Sequence, residues 1–216
     1  MPQENNPYHI CTWEPDVDCV HCENQGRLLC RMHWADLIQF MLLAFNVFIP
    51  AVLGMILGGH AVHLIGYAAF WVFFFGFFEI RILCSHCPFY AEEGFVLHCP
   101  ANYGLPKFWR YRPEPMQRWE KVALLVCFVI LFGYPLPFLI LGRQWVLLSI
   151  TSYAALLWLF VMQKNVCSRC VNFSCPLNRV PRQVVDGYLR RNQVMREAWE
   201  ASGYQLSGHD RERIHA

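Results

Sequence analysis

Cysteine carries the chemistry legible in this chain. Cys84-Ser85-His86-Cys87 is followed by Cys99-Pro100-Ala101-Asn102, with Pro106 shortly after. Further on, Cys167-Ser168-Arg169-Cys170 is followed by Cys175-Pro176-Leu177-Asn178, with Pro181 shortly after. Two thiolates separated by two residues can both turn toward one centre while the backbone wraps around it. Zinc and iron–sulfur clusters both accept thiolates in this geometry. Each set supplies three cysteines, one short of a four-thiolate site. One arrangement joins Cys84 and Cys87 to Cys167 and Cys170 across a pseudo-twofold axis. The other gives each set its own site, completed by a histidine, water, substrate or an N-terminal cysteine. Spacing alone does not choose between them.

A second constellation lies near the N-terminus: Cys19-x2-Cys22, then Gly26, then Cys30-x2-His33. Paired knuckles around a glycine resemble a small zinc ribbon or treble-clef finger with three Cys and one His as ligands. Cys11 is left over, as a substitute for His33 or a ligand donated to another site. The proline after Cys99 and Cys175 matches the one after the last ligand of bacterial ferredoxin runs, but neither set contains the full C-x2-C-x2-C-x3-C-P spelling.

The elements that must hold these thiols are apolar. The chain of 216 residues is 56% hydrophobic and 16% charged, where a soluble domain is nearer a quarter charged. Apolar stretches run over about 34–57, 61–83, 122–141 and 145–162. Each is close to the ~20 residues that a helix needs to cross a bilayer. The expected fold is therefore all-α and integral to a membrane, with four spanning helices. Gly58-Gly59-His60 and Gly142-Arg143-Gln144 are tight turns, so the helices form two hairpins. Helix, turn, helix, C-S-x-C, C-P-x-N and proline occur twice in that order, which reads as a parallel internal duplication. The expected segments are 1–33 (cysteine knuckle), 34–121 and 122–181 (the two hairpin repeats), and 182–216 (an amphipathic helix and tail).

Lys107, Arg110, Arg112 and Arg118 follow the second stretch, and Arg179, Arg182, Arg190, Arg191 and Arg196 follow the fourth. Basic residues collect on the cytoplasmic side, which places both termini and all the cysteine motifs there, in an inner (plasma) membrane. No basic segment followed by an apolar run opens the chain, so no cleavable signal is expected. The cytosol is reducing, which favours metal over disulfide for these thiols. Trp34, Trp109, Trp119 and Trp145 fall near the predicted boundaries as headgroup anchors.

Other residues take plainer readings. Gly54 and Gly58 have the small-x3-small spacing of close helix packing. Asp36, Gln39, Glu79 and Arg81 are expected to snorkel at the membrane surface. Cys127 reads as a small buried hydrophobe, and His86 points away from its flanking cysteines. His98 is either a spare ligand or a loop residue. No histidine pairs are placed for a b-type haem. The residues after Pro181 form a helix with a stripe of Val185, Tyr188, Leu189 and Met195, and the chain from Ser202 onward is expected to be loose.

A net charge of +2 leaves no nucleic-acid footprint, and no phosphate loop or nucleophile elbow is present. The leading expectation is an electron-transfer subunit. Iron–sulfur clusters would pass electrons between a soluble redox partner and a quinone in the lipid. The alternatives are a zinc-stabilised membrane scaffold for a soluble enzyme and a membrane thiol–disulfide oxidoreductase.

Overall fold

A computed structural model describes residues 6–14, 19 and 21–207. Among these, four helices are long and apolar enough to cross a membrane: α1 (Trp34–Leu57), α2 (His63–His86), α3 (Arg118–Leu141) and α4 (Trp145–Cys167). There is no strand among the described residues; Val96 and Pro106 form an isolated antiparallel bridge.

α1 matches its apolar stretch, whereas α2, α3 and α4 each run three to five residues further at the end bearing the cysteines. Hydropathy ends a span where charge begins, but the helical backbone continues through these charged residues. At the start of α3, Gln117 and Glu120 form a reciprocal capping box, in which Glu120 accepts the Gln117 N–H at 2.8 Å. Both α2 and α4 pass through a π-helical turn near their cysteine motifs, Phe74–Phe78 and Met162–Cys167 respectively.

The spans expose large apolar side chains such as Ile65, Val72, Val129, Val146 and Leu156. Such a surface suits lipid rather than water. α1 packs along α4 and meets α3 at the end carrying the turns. There Gly58 and Gly142 allow close approach, since a Cβ on Gly142 would lie 2.6 Å from the Gly58 Cα. A Cβ on Gly54 would meet Leu139 at 2.8 Å, so the glycine pair does the work its spacing implies. Phe48 joins three helices, its ring centroid 4.5 Å from that of Trp71 and 5.7 Å from that of Phe132. Pro135 has no N–H to offer the Leu131 carbonyl one turn back, and the Tyr67 hydroxyl donates to that carbonyl instead at 2.6 Å. A proline inside lipid is tolerated when a neighbour satisfies the freed group in this way.

At the opposite end, a cap has its own apolar core. The N-terminal segment contributes Ile10 and Leu28, and the α2–α3 connector contributes Phe89, Tyr90, Leu97 and Tyr111. Two helices close it, α5 (Arg182–Arg191) and α6 (Gln193–Ala201). Val185, Tyr188, Leu189 and Met195 are all buried in this core, as their stripe implies. Pro181 stands one residue before the first turn of α5. Residues 202–207 are not loose: Tyr204 and Ser207 both bind the buried Asp186 carboxylate. The remaining tail, 208–216, lies outside the described residues.

Candidate functional site

α2 and α4 end side by side under the cap, and the segments that follow them fold back over one cavity of about 150 Å³. One water needs roughly 10–15 Å³ on the same measure. Cys84, Cys87 and Cys99 line it from the first half of the chain, and Cys170 and Cys175 from the second. Five of the six cysteines of the two C-S-x-C and C-P-x-N sets are thus brought together. Cys167 does not line the cavity; it packs beside Trp158 and Met162 toward α1. Both cysteines of the first C-S-x-C face the space, whereas in the second only the later one does.

Local geometry is matched at the two turns. Ser85 donates to the Arg81 carbonyl and Ser168 to the Lys164 carbonyl, both at 2.6 Å. The backbone N–H of His86 bonds to Leu83, and that of Arg169 to Val166. The asparagines of the C-P-x-N spellings tie each later segment to the C-S-x-C of its own half. Asn102 donates through its side chain to Cys84 Sγ at 3.2 Å and through its backbone to Cys99 Sγ at 3.1 Å. Asn178 donates to the Cys170 carbonyl at 2.8 Å. Asn172 crosses between halves: its backbone N–H meets Cys170 Sγ at 3.4 Å and its amide donates to the Leu83 carbonyl at 3.0 Å. Sequence reasoning assigned these asparagines no role, although the matched spelling of Asn102 and Asn178 was the signal.

Glu79 corrects the snorkelling expectation. It is 6% exposed, lines the cavity, and its Oε2 is buried without a hydrogen-bond partner. Asp36 lines the same space. Arg81 turns elsewhere, its guanidinium 3.7 Å from Glu120 and over the Trp109 ring. Among the described residues that line the cavity there is no Lys, Arg or His. The wall therefore combines five thiols, two carboxyl groups and the Asn102 and Asn172 amides with apolar side chains, and offers no internal cation.

Burial pushes the Cys99 thiol up to about 11 and the Cys175 thiol up to about 12, and raises Cys87 and Cys170 as well. These thiols are neutral at physiological pH unless a cation replaces the proton. All eleven cysteines are free of disulfide bonds. Among the described residues, no group of three or more His, Cys, Asp or Glu stands close enough to hold a single metal ion.

The two histidines near the site are otherwise engaged. His86 is buried, with Nδ1 2.6 Å from the Glu114 carbonyl and Nε2 3.3 Å from Glu120, and it faces away from the cavity as expected. His98 pairs with Glu92 at 2.6 Å and is a loop residue. Cys127 is only half-buried, packed on α3 against the Phe74 cluster.

In the N-terminal segment, Cys30 is influenced electrostatically by Cys11, Cys22 and Cys19, and burial foremost pushes its thiol up to about 12. Cys11 is held by Asn192, which accepts its N–H at 2.7 Å and donates to its sulfur at 3.3 Å. His33 is exposed at the position before α1.

Comparison with protein families, curated proteins and solved structures finds no match to this chain.

Proposed function

We propose that this chain is a membrane electron-transfer subunit whose cysteine-lined cavity holds one iron–sulfur cluster shared by the two halves. The observation that carries this reading is the convergence of Cys84, Cys87, Cys99, Cys170 and Cys175 on a single buried space. A buried carboxyl oxygen without a partner, in a wall without a basic residue, further favours a cationic occupant. Four thiolates on one tetrahedral zinc, with Zn–S near 2.3 Å, stand about 3.8 Å apart. A cluster interposes iron and sulfide and so spaces its thiolates more widely, which suits a wall lacking a single-ion group.

The protein's own part is to bind and to shield. The thiols anchor the cluster, which supplies one-electron redox chemistry when bound. Asn102 and Asn172 direct N–H groups at three of the sulfurs. The apolar wall around them limits water. With the cap on the cytoplasmic side of a plasma membrane, the basic surface there would meet a soluble redox partner, and the spans would border the quinone pool. Matched hydroxyl and backbone bonds at the two C-S-x-C turns favour an internal duplication. If zinc filled the cavity, the chain would be a scaffold. Raised thiols at Cys87 and Cys170 weigh against the oxidoreductase alternative, which needs a lowered one.

The test is metal and sulfide analysis with EPR on protein purified without oxygen. Iron with acid-labile sulfide and a reducible signal, both lost in Cys87→Ser and Cys170→Ser but kept in Cys167→Ser, is expected. Zinc alone, with no signal, would overturn the electron-transfer reading.

A further inference from the structure

The connector between α2 and α3 contains a short hairpin pinned by the Val96–Pro106 bridge. Its outer face is aromatic: Phe95 is 62% exposed and Phe108 48%. These rings do not stand apart from the spans. Phe108 stacks on Phe77 of α2, with centroids 5.5 Å apart and planes inclined by 8°. Phe95 meets Phe108 edge-on at 5.8 Å. Phe77 is itself exposed and lies two residues on the apolar side of Glu79. At the other end of the hairpin, Tyr103 contacts Trp34, the first residue of α1, at 4.9 Å.

From this continuity we infer that the hairpin over 95–108 is a fifth membrane-contacting element, its aromatic face seated in the lipid interface beside α1 and α2. Two further features fit that occupant. Non-helical backbone near lipid must satisfy its own polar groups. Here Lys107 N–H bonds to Phe95, Leu97 N–H to Leu105, and Gly104 N–H to Leu97. Aromatic rings followed by a cation are the usual furniture of the headgroup layer. Exposed Trp109 and Arg110 follow Phe108 directly, whereas Lys107 is turned inward onto the Glu92 carbonyl. The hairpin also carries Cys99, so its seating would fix the cavity at headgroup depth whatever the cavity binds.

The test is photocrosslinking of the full chain in vesicles of phosphatidylcholine and phosphatidylglycerol. A benzophenone amino acid is placed in turn at Phe95, Phe108, lipid-facing Val129 and exposed Glu200 on the cap. Phospholipid adducts at Phe95 or Phe108 with a yield matching Val129, and none at Glu200, are expected. Adducts to protein only, or a yield at both hairpin positions no higher than at Glu200, would overturn the inference. Replacement of a single exposed ring leaves the cap core untouched, and the two hairpin positions check each other should one variant fail to fold.

Discussion

The side-chain amide of Asn102 donates to the sulfur of Cys84 at 3.2 Å, linking the C-P-x-N segment to the C-S-x-C turn at the end of α2. Hydrogen bonds to sulfur stabilise the charge of a thiolate and tune a cluster's potential. Under the proposed iron–sulfur reading, Asn102→Leu should weaken iron retention by roughly 10–100-fold and lower the reduction potential. Chelator challenge and a redox titration followed by EPR would measure both. Wild-type values in both assays would remove Asn102 from the supporting shell.

Glu120 is the hub of a buried ionic network. It is fully buried, 2.7 Å from Arg112 and 3.7 Å from Arg81, with His86 alongside. Removing one partner of a buried pair strands the other charge. Glu120→Leu should destabilise the fold by about 3–5 kcal/mol, and adding Arg112→Leu should recover part of that loss. Thermal unfolding of the detergent-purified protein would show it. A loss in the double variant equal to the sum of the Glu120→Leu and Arg112→Leu losses would mean the pair is not coupled.

Gly142 and Gly58 set how closely α1 and α3 approach. Gly142→Leu would force the helices apart, at about 1–3 kcal/mol for an overpacked contact. Reduced resistance to unfolding in SDS is the expected readout, while Gly133→Ala, where a Cβ meets nothing within 4 Å, should behave as wild type.

Asp186 anchors residues 202–207 to α5. Burial acts to raise its carboxyl, but hydrogen bonds from Ser207 and Tyr204, with Arg182 nearby, outweigh that and hold it below the ordinary value of 3.8. A carboxyl depressed in the folded state adds stability that is present above 3.8 and lost as pH falls through the folded value. Acidification through that folded value, below 3.8, should release Tyr204, seen in the ring signals of isotope-labelled tyrosine. In Asp186→Asn that acid step should vanish. An identical pH curve in both proteins would show that the anchor is not electrostatic.

The spans were readable because hydropathy over twenty residues depends on composition alone. The gathering of the thiols was readable in part, since the repeated spelling put both sets at helix ends on one side of the membrane but left a shared site and separate sites equally open. What one-dimensional reading missed were matters of direction. Glu79 and Arg81 lie two residues apart at the end of one helix, yet the first faces the cavity and the second faces Glu120. Charge near a span end looks the same in both cases. Cys167 and Cys170 differ likewise only in which way a turn points them. Cys11, left over by its spacing, is tied by Asn192 into the cap, a contact across 181 residues. The aromatic hairpin was invisible for the same reason, because Phe77 and Phe108 meet only once the connector has folded.

The π-helical turn at Phe74–Phe78 holds one residue more than an α-helical path would. Every side chain after it is rotated by about 100° relative to an uninterrupted α2. Forcing the same residues into regular α geometry would swing Glu79 and Cys84 off the cavity together, whereas deleting a single phenylalanine from the wide turn would leave both facing it. The membrane sees the length of this helix; the thiols see its phase, and α2 fixes the two separately.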